Sequence, residues 1–315
     1  MSFNTKPTPS ILIIGAGELG TAVLDALVRH PKHQPGKISV LLRQSSIDST
    51  DPEKRGSLER IKSLGADIEA GDIVNSPISD LSSTFKKYNV VLHCAGYGFP
   101  PGTYVRTAKA AIEAGVSRFF PFQFGMDYDM IGEGNSEGLF DEMLEVRELL
   151  RGQDRIGWTI VSTGLFVSYL FLPGFGLVDL KTRIVRALGS WDNKITVSTL
   201  DAIGTMVAEV VYVPEDIKNQ VVYIGGETIS YRRLADLVEA TYGGPFKREA
   251  WDLPGLKRAL EENPDDLFAR YRVVFGKGVG VSWDMEQTLN RQRNIPLADV
   301  EAFVKENRDS IARQT

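Results

Sequence analysis

Three glycines near the start of the sequence have the spacing of a loop that binds phosphate. Gly15, Gly17 and Gly20 form the pattern G-x-G-x-x-G directly after four aliphatic residues, 11–14. In such a loop the first glycine permits a tight turn, the second lets a pyrophosphate approach the backbone, and the third lets helix and strand pack closely. We therefore predict a dinucleotide site, with Glu18 and Leu19 at the start of the helix where N–H groups face the phosphates. A tight strand–helix turn without a ligand is the alternative.

The end of the second predicted strand, residues 37–43, favours NADP(H) over NAD(H). Sites for NAD(H) usually place an acidic residue there, whereas this strand ends in Arg43, followed by a glutamine and Ser45. A guanidinium group binds a phosphate through two hydrogen bonds, and a serine hydroxyl adds a donor. The alternative is that Arg43 is a solvated charge at a strand end.

Further cofactor contacts are expected where the later strands end. Asp72 follows the third predicted strand, Ala95, Gly96 and Tyr97 follow the fourth, and Phe122 follows the fifth. Ligands of open α/β sheets bind outside the carboxyl ends of the strands. We therefore expect these residues to border the cofactor.

The elements that must position these residues alternate between strand and helix. Strands at 66–70, 89–94 and 116–121 are separated by amphipathic helices, which predicts an α/β fold with a doubly wound parallel sheet. His93 and Cys94 lie in a strand pattern, and we expect both in the core. In the C-terminal half we predict a loop at 174–180, strands at 184–188, 195–197 and 220–224, and helices at 199–211, 231–242, 256–262, 266–275 and 297–312.

The amino-acid composition of the chain argues against several classes of binding partner. The 315 residues contain 36 Lys and Arg against 41 Asp and Glu, a net charge of −5. This balance argues against nucleic acid or an anionic membrane as the main partner. The single cysteine excludes an internal disulfide, the N-terminus has no signal-peptide core, and no metal-ligand spacing is present. We expect a cytoplasmic monomer or homodimer that binds a small molecule and no metal.

Four separated motifs together resemble one known family. They are A-I-E-A-G at 111–115, R-F-F-P-F-Q-F-G-M-D at 118–127, W-T-I-V-S-T-G-L-F at 158–166 and I-T-V-S-T-L-D-A-I-G at 195–204. The sequence resembles the isoflavone reductase-like and NmrA-like group of atypical short-chain dehydrogenases/reductases, in particular its fungal members. The resemblance implies a Rossmann-like NADP-binding domain, here 1–156, and a smaller, partly interleaved substrate-binding region, here 157–315. It also implies NADPH-linked reduction of phenolic or related small molecules, although some relatives bind the nucleotide only as sensors.

The sequence departs from this family at the proton-donating position. The family's reductases carry a catalytic lysine in a pattern that resembles F-x-x-K-x-x-x-R, whereas this chain has Phe140, Met143 and Arg147. A thioether cannot donate a proton. Gln123 also stands where the family has a glutamate, and no tyrosine is followed four positions later by a lysine.

Two residues after the fifth strand are candidates for the missing acid–base group. Tyr128 is a candidate acid if a cation lowers its pKa, and Asp127 is a candidate base. A cluster of capping and turn residues is the interpretation that we favour for this segment from the sequence alone.

The substrate pocket is predicted to be apolar and rich in aromatic rings. Its candidate residues are Phe99, Phe124, Met143, Phe166 and Tyr169. Such a pocket suits a flat aromatic or polyketide-like substrate, although these residues also suit a plain core. We therefore predict an NADPH-dependent reductase. The alternatives are a non-redox cyclase, isomerase or dehydratase that uses the same pocket, and an NADP(H)-binding sensor.

Overall fold

The computed structural model describes residues 8–96, 98–215 and 217–314. Strands and helices are numbered here along the chain. The strands are β1 (Ile11–Ile14), β2 (Ile38–Leu42), β3 (Asp67–Ala70), β4 (Val90–His93), β5 (Arg118–Phe120), β6 (Gly157–Ser162), β7 (Leu165–Phe166), β8 (Val178–Asp179), β9 (Ile184–Leu188), β10 (Lys194–Ser198), β11 (Gln220–Tyr223), β12 (Glu227–Ser230) and β13 (Lys247–Trp251).

The helices are distributed along the whole chain. They are α1 (Glu18–Arg29), α2 (Gln44–Ile47), α3 (Pro52–Ser63), α4 (Ile78–Phe85), α5 (Thr103–Ala114), α6 (Tyr128–Ile131), α7 (Asp141–Arg151), α8 (Leu200–Tyr212), α9 (Tyr231–Tyr242), α10 (Leu253–Glu262), α11 (Leu267–Lys277), α12 (Leu289–Gln292) and α13 (Val300–Gln314). Short 3₁₀ helices follow β7, at Val167–Phe171, and precede α12, at Met285–Gln287.

The chain forms two compact units, and each unit consists of three separate segments. The first unit takes the chain up to Gln123 and then 145–161 and 203–222. The second unit takes 124–144, 162–202 and the chain from Tyr223 onwards. The boundary at residue 156 that the sequence suggests stays a prediction.

The first unit is organised around a seven-stranded sheet with the order β11-β6-β5-β4-β1-β2-β3. Strand β1 lies inside the sheet and pairs in parallel with β2 on one side and with β4 on the other. All four residues of β1 are at most 1% exposed, because helices on both faces of a doubly wound sheet exclude solvent. This order reverses direction between β1 and β4, which is the point where such sheets bind ligands.

The second unit contains two three-stranded sheets and most of the C-terminal helices. One sheet has the order β12-β10-β7, and the other has the order β13-β9-β8. Both sheets mix parallel and antiparallel neighbours: β10 is antiparallel to β12 and parallel to β7. Helix α9 begins at a side-chain cap, where the Ser230 hydroxyl accepts a hydrogen bond of 3.2 Å from the N–H of Arg233.

The α/β class and the doubly wound sheet are confirmed. The prediction of a loop at 174–180 is wrong at Val178–Asp179, which form β8, because these residues pair with the neighbouring strand β9. Strands β12 and β13 and the short helix α2 were not predicted. His93 and Cys94 are core residues as expected, with 1% and 2% exposure.

Candidate active site

The glycine loop of the first unit has the geometry that its spacing predicts. Gly15 has a φ of +93°, and a Cβ atom there would lie 2.9 Å from the Cα of Ala95. A Cβ on Gly20 would lie 2.1 Å from the carbonyl oxygen of Gly15, so only glycine lets α1 approach β1 this closely. A Cβ on Gly17 would meet no atom within 4 Å. The loop is therefore packed at two glycines and open at the middle one.

The open side of the loop leads to the N-terminus of α1. Gly17 is the cap residue and offers no side chain to the first N–H groups of the helix. Gly17 and Glu18 are exposed, whereas the Leu19 side chain is buried, at 6% exposure. Leu19 is thus placed to contact a ligand through its backbone only. Exposed N–H groups at a helix start bind phosphate, so the loop fits a pyrophosphate.

A cavity of about 140 Å³ lies next to this loop in the first unit. The ends of β1, β2, β3 and β4 and the segments that follow them form its walls. The lining residues are Ile14, Gly15, Leu41, Leu42, Arg43, Ser46, Gly71, Asp72, Ile73, Ala95 and Phe99. The cavity brings together four predicted cofactor residues, namely Gly15, Arg43, Asp72 and Ala95, that come from four different parts of the chain.

Arg43 and Asp72 are the charged residues of this cavity. Arg43 is exposed, directly after β2. The Asp72 carboxylate accepts hydrogen bonds from the N–H of Val74 at 2.8 Å and from the side-chain amide of Asn75 at 2.8 Å. Burial opposes ionisation of Asp72, but these hydrogen bonds and then the charge of Arg43 lower its pKa below the ordinary value. The cavity therefore holds an exposed cation beside a carboxylate that is fixed in a turn.

Three other predicted site residues, Ser45, Tyr97 and Phe99, do not appear in the structure as predicted cofactor or substrate contacts. Ser46, rather than the exposed Ser45, lines the cavity, because the chain turns into α2 directly after Arg43. Tyr97 lies outside the described residues. Phe99, which we predicted for the substrate pocket, lines the cavity of the first unit instead.

An aromatic cluster supports the segment after β4. The Tyr104 hydroxyl donates a hydrogen bond of 2.9 Å to the carbonyl of Gly96, and its ring stacks on Phe122 at 5.4 Å. The His93 ring lies 5.4 Å from Tyr104 and 6.1 Å from Phe122. Among the described residues, neither ring nitrogen of His93 has a hydrogen-bond partner, and burial lowers its pKa to about 3. Phe122, which is 7% exposed, therefore supports the tyrosine that holds the Gly96 carbonyl.

In the second unit, Asp127 and Tyr128 have different environments. Asp127 is half-buried and caps α6, where its Oδ1 accepts a hydrogen bond of 3.4 Å from the N–H of Met130. Tyr128 is 2% exposed, and its ring packs on Phe140 at 4.7 Å. A Cβ on Gly125 would lie 2.3 Å from the Tyr128 hydroxyl, so this hydroxyl faces the chain backbone.

Tyr223 is the polar partner of Asp127 that the sequence did not indicate. Its hydroxyl donates a hydrogen bond of 2.7 Å to Oδ2 of Asp127 across 96 positions of sequence. The Tyr223 ring meets Trp283 edge to face at 5.1 Å. No local pattern predicts a contact between residues so far apart.

The remaining predicted pocket residues lie in the second unit. Phe124 and Met143 are 6% and 7% exposed, whereas Phe166 and Tyr169 are half-buried and meet edge to face at 6.0 Å. Met143 lies in the first turn of α7, three positions after Phe140, and both side chains are buried.

Two classes of feature are absent from the part of the chain that the structure describes. Its residues include no group of three or more His, Cys, Asp or Glu side chains arranged to hold a metal ion. Among the same residues, no helix is both long and apolar enough to cross a membrane.

Comparison with known proteins relates the chain to one family. The NmrA-like family matches residues 7–294. An NmrA-like family domain-containing oxidoreductase of Gibberella moniliformis is 47% identical over 94% of this chain and 97% of that protein. This relative agrees with the predicted oxidoreductase class.

Two solved structures share the fold. The crystal structure of isoflavone reductase has a TM-score of 0.79 at 20% identity, and it covers 95% of this chain and 99% of that chain. The complex of leucoanthocyanidin reductase with NADPH from Vitis vinifera has a TM-score of 0.77 at 21% identity, over 94% of this chain and 98% of that chain. Both structures agree with the predicted Rossmann-like fold.

Proposed function

Because the chain belongs to the NmrA-like family, we propose that it is an NADP(H)-dependent oxidoreductase that reduces an aromatic or polyketide-like small molecule. The cavity beside the glycine loop is the observation that carries the proposal. It joins an open helix N-terminus, which fits a pyrophosphate, to an exposed arginine at the end of β2.

Arg43 is the residue proposed to select NADP(H). Arg43 lines the cavity directly after β2, where the ribose of the adenosine half lies in doubly wound dinucleotide sites. A guanidinium binds the 2′-phosphate of NADP(H) through two charge-assisted hydrogen bonds, whereas NAD(H) has no group there to engage it. Ser46 takes the role of hydroxyl donor that we first gave to Ser45.

In the proposed reaction the cofactor and the second unit have different roles. Bound NADPH supplies a hydride. Asp127 is the proposed acid–base group, because its carboxylate is half-buried and fixed by hydrogen bonds on both oxygens. Tyr128 is proposed to support the site by packing, since it is almost fully buried against Phe140.

The proposed class of substrate follows from the side chains of the second unit. Phe166 and Tyr169 present half-buried aromatic rings, and Met143 supplies an apolar thioether in place of a lysine. Aromatic rings bind flat ring systems by offset stacking or edge-to-face contact. The names of the two reductases that share the fold, isoflavone reductase and leucoanthocyanidin reductase, also point to polycyclic aromatic substrates.

Calorimetric titration with NADPH, NADP⁺, NADH and NAD⁺ tests the cofactor assignment. We expect submicromolar binding of the phosphorylated pair and binding of the other pair that is at least about tenfold weaker, which corresponds to about 1.4 kcal/mol. Absence of binding by all four would contradict the proposal and favour a cofactor-free catalyst. Tight binding without NADPH oxidation across a panel of aromatic acceptors would favour a sensor or a non-redox enzyme.

A further inference from the structure

We infer that the second unit contains a ligand site apart from the proposed active site, a cavity that binds a free amino acid with an aliphatic side chain. The cavity has a volume of about 420 Å³, and all of its lining residues belong to the second unit. Because no residue proposed for the cofactor or the substrate lines it, the inference goes beyond the proposed function. We call it the charged cavity, and its walls include Glu137, Lys257, Leu260, Glu261, Val273 and Lys277.

Two parts of the second unit form the walls of the charged cavity. One wall is the helix pair α10 and α11, and the other is the segment between α6 and α7, residues 132–140. Leu260 of α10 and Val273 of α11 are buried, at 6% and 3% exposure, whereas the lysines and glutamates of the cavity are exposed. The cavity therefore combines an apolar interior with charged side chains at its opening.

The segment before α7 is held in a conformation that side chains rarely adopt. Ser136 and Glu137 have φ angles of +54° and +59°, in the left-handed region. The Ser136 hydroxyl donates a hydrogen bond of 2.6 Å to the carbonyl of Arg270, and the Lys277 ammonium donates one of 2.6 Å to Oδ1 of Asn135. Strained backbone persists where surrounding contacts fix it, and it is frequent at ligand sites. These contacts with α11 keep Glu137 in the wall of the charged cavity.

The charges of the cavity are not neutralised by one another. Lys257 and Glu261 lie one helical turn apart on α10, a spacing at which opposite charges can pair. Within the part of the chain that the structure describes, however, the side chains of Lys257, Glu261 and Glu137 have no hydrogen bond or ion pair. Lys277 is bound only to the neutral amide of Asn135. The cavity therefore offers both positive and negative groups to a ligand.

This charge pattern fits a zwitterion. The glutamates repel a simple anion and the lysines repel a simple cation, whereas a molecule with both charges is attracted by both kinds of side chain. An α-amino acid carries its ammonium and carboxylate groups on one carbon atom, so neighbouring opposite charges such as Glu261 and Lys257 can bind them together. An aliphatic side chain would then contact Leu260 and Val273 and leave water.

Calorimetric titration with L-leucine tests the inference. Two analogues of leucine each lack one charge: isocaproate has no ammonium group, and isoamylamine has no carboxylate. We expect saturable binding of leucine at millimolar concentration or below. Each analogue should bind at least about tenfold more weakly, because it loses the contact of one charged group with the protein. The titrations need no cofactor, so their outcome is independent of the proposed function.

Variants of α10 locate the binding in the charged cavity. Lys257→Met and Glu261→Gln each remove one charge and keep most of the side chain. We expect each to weaken leucine binding about tenfold. Lys257→Met should also reduce the preference for leucine over isoamylamine, and Glu261→Gln the preference for leucine over isocaproate. Arg258→Met and Glu262→Gln are the matched controls, because both residues are exposed on the same helix and do not line the cavity. They should bind leucine as the wild type does.

Three results would overturn the inference. The first is the absence of saturable binding of leucine at millimolar concentration. The second is equal affinity of the wild type for leucine and for either analogue. The third is equal affinity for leucine in the wild type and in both Lys257→Met and Glu261→Gln, which would place the bound leucine elsewhere. Because both residues are exposed, the variants are expected to fold, and thermal unfolding of each variant checks this.

Discussion

The two units build their candidate sites in different ways. In the first unit, one stretch of six residues supplies a turn, a phosphate-binding helix start and a close strand–helix contact, all through glycines. In the second unit, the pair formed by Asp127 and Tyr223 brings together residues 96 positions apart. The first site depends mainly on backbone and the second on side chains held by tertiary structure.

The difference between these two sites indicates which kind of ligand each unit suits. A dinucleotide has a constant pyrophosphate, which backbone N–H groups and a helix N-terminus recognise in any protein that forms the loop. A substrate differs from one enzyme to the next, so its contacts come from side chains that can change while the fold stays. The predictions below are chosen to separate these two kinds of site.

The largest effect is expected at the carboxylate of the second unit. Asp127→Asn keeps the size of the side chain and removes the base, so we expect kcat to fall by about 100- to 10,000-fold, the usual contribution of a general acid–base group. NADPH oxidation is to be followed with whichever aromatic acceptor the wild type reduces fastest. Unchanged NADPH affinity in the variant would confirm that the two sites are separable, and unchanged kcat would contradict the role of Asp127.

The next effect is expected at the packed glycine of the first unit. Gly20→Ala places a methyl group 2.1 Å from the Gly15 carbonyl oxygen, so the helix must move away from the strand. We expect a loss of about 1–3 kcal/mol in the free energy of unfolding, as for other overpacked sites. Chemical denaturation measures this loss.

Gly17→Ala is the matched control for that variant. Its new methyl group meets no protein atom within 4 Å, so we expect the free energy of unfolding to change by less than about 0.5 kcal/mol. The same methyl group would occupy the space offered to the pyrophosphate, so NADPH affinity should fall. Equal losses of stability would contradict the packing difference between the two glycines, and normal NADPH binding by Gly17→Ala would contradict the proposed role of the loop.

Replacement of Arg43, which lines the cavity, is expected to weaken the binding of NADP(H) and to leave the binding of NAD(H) unchanged. Arg43→Ala should weaken NADPH binding by about 1.5–3 kcal/mol, the range for hydrogen bonds to charged groups, and should spare NADH. Arg29→Ala, another exposed arginine of the first unit, is the control and should leave both affinities unchanged. Equal losses of affinity for NADPH and NADH in Arg43→Ala would contradict the proposal that Arg43 binds the 2′-phosphate.

The last of these effects is confined to acidic pH and concerns the buried imidazole of His93, which packs near Tyr104 and Phe122. Burial lowers the pKa of His93 from 6.5 to about 3. Between these two pH values the imidazole is therefore protonated in the unfolded chain and neutral in the folded chain. Stability that is present above pH 6.5 is therefore lost as the pH falls towards 3, by about 1.4 kcal/mol for each unit in that window.

His93→Leu removes this proton uptake from the unfolded chain. Denaturation of wild type and variant at two acidic pH values should show a shallower loss of stability in His93→Leu. Wild type and variant share the same acidic residues, so the contribution of these residues to the pH dependence cancels when the two free energies of unfolding are subtracted. Parallel pH dependences would mean that the imidazole is not buried in its neutral form.

Much of the first unit could be predicted from the sequence because its signals are local. The aliphatic run before Gly15 indicates a buried strand, and alternation with amphipathic helices indicates a parallel sheet. Ser45 was chosen over Ser46 because the sequence gives no warning of a four-residue helix after Arg43. A short helix turns successive side chains by about 100° each, so a shift of one position changes which serine faces the cavity.

The second unit could be predicted less well because its contacts are not local. Its short strands β12 and β13 pair with strands that are distant in sequence, and they carry polar or charged residues that look like loop. Asp127 was correctly expected to cap a turn, but its pairing with Tyr223 depends on where β11 ends in the sheet. Phe99 was assigned to the substrate from its aromatic character alone, which does not specify which cavity a ring enters.

The alternation of the chain between the two units has a consequence for biosynthesis. The polypeptide passes from one unit to the other five times, and the last strand of the large sheet ends only at Tyr223. A nascent chain therefore completes neither unit until most of it has left the ribosome, and β6 lacks its neighbour β11 until residue 223 has been made. Chains with such non-local pairing fold slowly and are prone to aggregate, so we expect chaperones to accompany this protein during synthesis.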